Sequence, residues 1–241
     1  MKRSIKSLVG YAMKETDGEI GKVAEFYFDD VTWTIRYFIV KTGNWLSGRK
    51  VLISPVVVKE PDWENREFPV NLTKKQIEDS PDIDTDKPVS RQQEELLSNY
   101  YPWRLYWGSE PDEHGGGIFG MMPGDLYDAN VETNENSAPE VVENVPQDQH
   151  LRSTDEVIGY TIHATDGEVG KISDYIIDDT NWKIKFLVVS TGSLFNNKKV
   201  LVSTQGITKV NWDNSNVAVN LSTEEVKNST EFDDSQALNE G

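Results

Sequence analysis

Residues 10–84 recur at residues 159–233, each position displaced by 149 and without a gap. Gly10-Tyr11 returns as Gly159-Tyr160, Thr16-Asp17-Gly18-Glu19 as Thr165-Asp166-Gly167-Glu168, and Gly21-Lys22 as Gly170-Lys171. Asp29-Asp30 returns as Asp178-Asp179, Trp33 as Trp182, Thr42-Gly43 as Thr191-Gly192, and Lys50-Val51-Leu52 as Lys199-Val200-Leu201. About a third of the aligned positions are identical, and most others exchange like for like. The chain therefore uses one small unit twice. Each copy is near the lower size limit for a self-sufficient core, so two copies packed together would bury more apolar surface than either alone.

Within each copy the pattern is strands joined by tight turns. Asp17-Gly18 and Asp166-Gly167 sit between apolar segments, where glycine accepts positive φ and aspartate bonds nearby backbone, a strong hairpin signal. A second turn falls at Asp29-Asp30-Val31-Thr32. The next strand places Trp33, Ile35, Tyr37 and Ile39 on one face, repeated by Trp182, Ile184, Phe186 and Val188. That face is expected to line the barrel interior. The other face starts polar at Thr34, Arg36, Lys183 and Lys185 and ends apolar at Phe38, Val40, Leu187 and Val189, so something must cover its far end. A further hairpin is expected at Asp62-Trp63-Glu64-Asn65. Thr73 with Gln76, and Ser222 with Glu225, read as capping boxes opening a short helix at the end of each copy. Five or six short strands and a terminal helix describe a small β-barrel.

The motifs that carry a family resemblance are Leu8-Val9-Gly10 with Val157-Ile158-Gly159, and Asp17-Gly18 through Gly21-Lys22 with Asp166-Gly167 through Gly170-Lys171. To these are added both aspartate pairs, Val51-Leu52-Ile53-Ser54, and the helix after Asn71-Leu72. Together they resemble the PRC-barrel family, named for the cytoplasmic domain of the photosynthetic reaction-centre H subunit and found also in a ribosome maturation factor. The resemblance implies a mainly β chain. Two tandem PRC-like β-barrels, each ending in a short α-helix, would be joined by a helical, aromatic and flexible acidic connection. The expected divisions are a first barrel at residues 1–84, the connection at 85–150, a second barrel at 151–233 and an acidic tail at 234–241.

In the connection, Ser90-Arg91-Gln92-Gln93 reads as a capping box opening a helix through Leu96, Leu97 and Tyr100. An aromatic cluster follows, and Tyr100, Tyr101, Trp103, Leu105, Tyr106 and Trp107 form the candidate interaction surface. Aromatic side chains remove large apolar areas from water at low entropic cost. The same residues would equally serve to pack the helix onto a barrel.

Chemistry is sparse. With no cysteine, thiolate metal sites and cysteine nucleophiles are excluded. His114, His150 and His163 lack metal-ligand spacing. His114-Gly115-Gly116-Gly117 copies an oxyanion motif but has no accompanying nucleophile elbow. Asp17, Asp29, Asp30, Asp166, Asp178 and Asp179 offer oxygen ligands for a hard cation, yet aspartates also favour hairpin corners, and neighbours on a strand point to opposite faces. No metal, cofactor or catalytic residue is expected.

The net charge of −17 disfavours nucleic acid and anionic lipid as partners. No apolar run is long enough for a membrane span, and the basic start lacks the apolar core of a signal peptide, so a cytoplasmic location is expected. The expected function is a non-enzymatic protein-interaction or scaffold role with a protein partner. The alternatives that the resemblance adds are an accessory subunit of a membrane-associated electron-transfer complex and a ribosome-assembly-type factor; a metal-binding protein is a third. The barrels are expected to pack within one chain about an approximate two-fold axis, covering each other through Phe38, Val40, Leu187 and Val189. The competing arrangements are two independent barrels on the acidic linker, or packing between chains as a homodimer.

Overall fold

The structure, a computed structural model, describes residues 1–15, 18–81, 91–101, 151–192 and 198–233. It is mainly β. The first copy comprises β1 (Lys2–Ser4), α1 (Ile5–Leu8), β2 (Ala12–Glu15), β3 (Gly18–Asp29), β4 (Thr34–Thr42), β5 (Lys50–Ile53), β6 (Glu67–Pro69) and α2 (Lys74–Glu78). Helix α3 (Arg91–Tyr100) follows. The second copy comprises β7 (Leu151–Ser153), α4 (Thr154–Val157), β8 (Thr161–Ala164), β9 (Gly167–Asp178), β10 (Lys183–Ser190) and β11 (Lys199–Ser203), then β12 (Ile207–Asn211), β13 (Asn216–Val219) and α5 (Thr223–Lys227).

In the first barrel, antiparallel pairing runs from β2 through β3 and β4 to β5, and β6 returns parallel to β2. Strands β8, β9, β10, β11 and β13 repeat that order, with β12 added beside β13. Gly18 and Gly167 adopt φ of 119° and 149°, a region costly for any side chain with a Cβ. Asp17 lies outside the described residues. Both capping boxes form: Thr73 and Ser222 each accept an amide three residues on, and Gln76 and Glu225 return a bond to the cap amide.

The first strand of each copy crosses to the other barrel. β1 pairs with β9, and β7 pairs with β3. Between these exchanged strands, β4 and β10 meet at Thr34 and Lys183. Trp33 and Trp182 turn through left-handed conformations with φ of 55° and 57°. The Ile35 amide donates to the Trp182 carbonyl at 2.8 Å, and the Ile184 amide donates to the Trp33 carbonyl at 2.7 Å. Each contact has its mirror, so the two copies meet as the subunits of an isologous dimer do.

A β-bulge revises the expected interior face. The ladder between β3 and β4 skips Arg36, and that between β9 and β10 skips Lys185. One extra residue reverses the facing of everything beyond it. Ile35, Phe38 and Val40 therefore point inward, while Tyr37 and Ile39 face outward. Phe38 lies 5.1 Å from Phe26 and 5.2 Å from Phe68, ring centre to ring centre, at the middle of the first core. Phe38 and Val40, with Leu187 and Val189, thus fill barrel interiors and are not a mutual contact surface. Thr34, expected on the polar face, is buried beside the junction. Trp182 reaches across to meet Phe38 edge-on at 4.9 Å, so the second copy supplies a lid for the first core.

Candidate functional site

Two places gather polar side chains with defined geometry: the junction between the barrels and the outer face of the first barrel beneath α3.

At the junction each exchanged strand carries an arginine and a serine. Arg3 Nε lies 2.6 Å from Asp179 Oδ2, and its guanidinium stacks 3.5 Å from the Trp63 ring centre. Arg152 repeats this with Asp30 at 3.5 Å and Trp212 at 4.1 Å. A guanidinium offers a planar face to the indole and an in-plane donor to a carboxylate at once, which a lysine cannot do. Ser4 Oγ donates to Asp174, and Ser153 Oγ donates to Glu25. Both serines also cap the helical turn that follows them. Each copy thereby contributes the basic half of one cluster and the acidic half of the other.

This arrangement accounts for the aspartate pairs. Asp29 Oδ1 accepts from the Thr32 amide at 2.6 Å and the Thr32 hydroxyl at 2.7 Å, closing the turn. Asp178 Oδ1 accepts from the Thr180 amide at 3.1 Å and its hydroxyl at 2.7 Å. Asp30 and Asp179 face the arginines. Asp166 accepts from the Thr223 amide at 2.6 Å at the start of α5, and that bond holds its carboxyl below the ordinary aspartate value. Among the described residues, no group of three or more His, Asp or Glu side chains is placed to hold a metal ion.

Asp174 is buried at the junction. Burial pushes its carboxyl above the ordinary value of 3.8, against the pull of Ser4 Oγ and the Tyr175 and Lys6 amides. The folded state therefore binds the proton more tightly than the unfolded chain. This group's contribution is fully present below 3.8 and is lost as pH rises through the folded-state value. Asp174→Asn keeps an oxygen for the two amides and offers an N–H to Ser4. It is expected to raise stability at pH 7 and to lose that advantage below pH 3.8. Urea unfolding of both proteins at the two pH values checks this.

On the outer face, α3 lays Glu94, Leu97 and Tyr101 against the first barrel, all buried. The Tyr37 hydroxyl meets Glu94, and burial and then that carboxylate hold the phenol well above its usual range. At the other end of the helix Tyr101 packs beside Ser80 and Arg49, and burial pushes its hydroxyl up to about 12. Tyr100 donates to the Gln76 carbonyl at 2.8 Å and stands perpendicular to Tyr101.

Of the candidate surface residues, Tyr101 is packing and Tyr100 is partly exposed. Trp103, Leu105, Tyr106 and Trp107 lie outside the described residues, as do His114 and its glycines. Sequence reasoning missed Arg3, Ser4, Arg152, Ser153 and Glu94. The first four carried a signal, because Arg3-Ser4 and Arg152-Ser153 extend the repeat upstream at the same displacement.

No helix among the described residues is long and apolar enough to cross a membrane. A search among curated proteins finds no match to this chain. The sequence pattern of the PRC-barrel domain matches residues 4–77 and again residues 151–226, and each match takes in the exchanged serine, the long hairpin and most of the terminal helix. The chain belongs to the PRC-barrel family, which it represents in two copies.

Proposed function

We propose that this protein is a non-enzymatic interaction or scaffold protein, and that it recruits a protein partner through the solvent side of α3. The observation that carries this reading is the division of labour on the helix. Glu94, Leu97 and Tyr101 fasten it to the barrel, while Leu96 and Tyr100, one turn apart, remain 38% and 36% exposed. Exposed apolar pairs on a rigidly seated helix suit an interface centre, where aromatic and aliphatic anchors carry most of the binding energy. The polar clusters support the same reading, since the junction carboxylates already hold arginines and turn amides.

The test uses the tagged full chain recovered from its native cell beside a Leu96→Asp variant. A co-purifying protein retained by the parent and lost by the variant, with an unchanged melting midpoint, is the expected result. A charge at an interface centre typically costs roughly 2 kcal/mol or more, about thirtyfold in affinity. An unchanged set of retained proteins would contradict the α3 surface. Substrate turnover by the purified chain would contradict the non-enzymatic reading.

A further inference from the structure

Three lysines stand directly opposite one another across adjacent strands of the first barrel. Lys22 on β3 pairs with Lys41 on β4, and Lys41 pairs with Lys50 on β5. Like charges at directly opposed positions are unfavourable in a sheet, so the row gains from a counter-charge. Lys50 reaches Glu25 at 3.6 Å. Lys22 and Lys41 are exposed, and neither forms an ion pair with a described residue. The second barrel breaks the row, placing Ser190 between Lys171 and Lys199.

The charge of the chain is unevenly spread. Residues 1–81 carry 13 Lys and Arg against 12 Asp and Glu, a net of +1. Residues 102–150 carry ten Asp and Glu against Arg104 alone, a net of −9 out of the total of −17. Helix α3 delivers the chain to this row. Its first half sits at Tyr37, and Tyr101 lies beside Arg49, next to Lys50. Tyr37, Ile39 and Lys41 alternate along one face of β4, so the lysine row continues the surface on which α3 rests.

We propose that the lysine row of the first barrel is a docking face for the chain's own acidic segment, residues 102–150. The segment follows directly on Tyr101, which lies beside Arg49, and tethering at short range gives an effective concentration on the order of millimolar. An acidic segment from another protein must instead approach a molecule of net charge −17. The chain's own carboxylates meet no such barrier beyond the one already borne in the fold.

The absence of cysteine makes the test direct. A nitroxide is attached through Asn130→Cys in the full chain, and amide signals of both barrels are compared with the reduced label. The expected result is loss of signal at Lys22, Lys41 and Lys50, with signals retained at Lys171, Ser190 and Lys199. The loss should weaken strongly in roughly 0.5 M salt, where the Debye length falls to about 4 Å. The loss should disappear in a Lys22→Gln, Lys41→Gln variant whose remaining spectrum is unchanged. Equal signal loss on both barrels, none on either, or loss that persists in the double variant would overturn the proposal. So would loss seen only when labelled and unlabelled molecules are mixed, because the occupant would then be a second copy.

Discussion

Deleting residues 1–4 is expected to unfasten the second barrel, not the barrel whose sequence they precede. Residues 2–4 of this stretch form β1, which lies along β9 with Lys2, Arg3 and Ser4 opposite Asp178, Ile177 and Ile176. Their loss strips Asp179 of Arg3, in a pair whose side chains are only 8% and 12% exposed. It also leaves buried Asp174 without the Ser4 hydroxyl. Removing one partner of a buried ion pair typically costs roughly 3–5 kcal/mol, because the remaining charge stays out of water. Hydrogen exchange is the appropriate readout. Protection should fall at the β9 amides facing β1, while β3, still covered by β7, keeps its protection. Equal loss in β3 and β9 would mean that the two barrels do not hold separate debts to the exchanged strands.

The second large effect is expected at Gly21 and Gly170, which the sequence marks only as repeated motif positions. A Cβ on Gly21 would stand 2.2 Å from the Lys41 carbonyl oxygen, and one on Gly170 would stand 2.3 Å from that of Ser190. The obstruction is backbone of the neighbouring strand, which cannot rotate away as a side chain can. Gly21→Ala or Gly170→Ala must therefore part β3 from β4 or β9 from β10, at about 3 kcal/mol or more. By contrast, a β-branched residue at Gly18 or Gly167 meets strain from φ alone and should cost roughly 1 kcal/mol or more. Thermal or urea unfolding of the four variants would rank them. Alanine tolerated at Gly21 and Gly170 would show that the strands do not approach as closely as described.

The elements that follow local rules were readable in the chain. The paired long hairpins with Gly18 and Gly167 at positive φ, the paired terminal helices with their capping boxes, and the two-barrel division all rest on turn chemistry and repetition. The facing of β4 was not readable. Ile35, Tyr37 and Ile39 alternate as a single face would, and nothing in that alternation records the one-residue bulge at Arg36 that turns Tyr37 outward. The strand exchange was hidden for a different reason. Asp30 and Asp179 occupy equivalent positions, so Arg3 finds the same residue type in its own copy and in the other. Only the path of the chain chooses between them. The seating of α3 was partly concealed by its composition, since Glu94 is the buried residue and Leu96 the exposed one. A carboxylate becomes acceptable at that interface because Tyr37 supplies a hydroxyl to meet it.

The two copies form one body through reciprocal strand exchange. Cutting the connection between residues 102 and 150 in the folded full chain, at an inserted protease site, tests it most directly. The exchanged strands and the tryptophan pair should hold the halves as a one-to-one particle in sedimentation at micromolar concentration, melting in a single transition. Two separate halves, each retaining native hydrogen-exchange protection in its long hairpin, would contradict it.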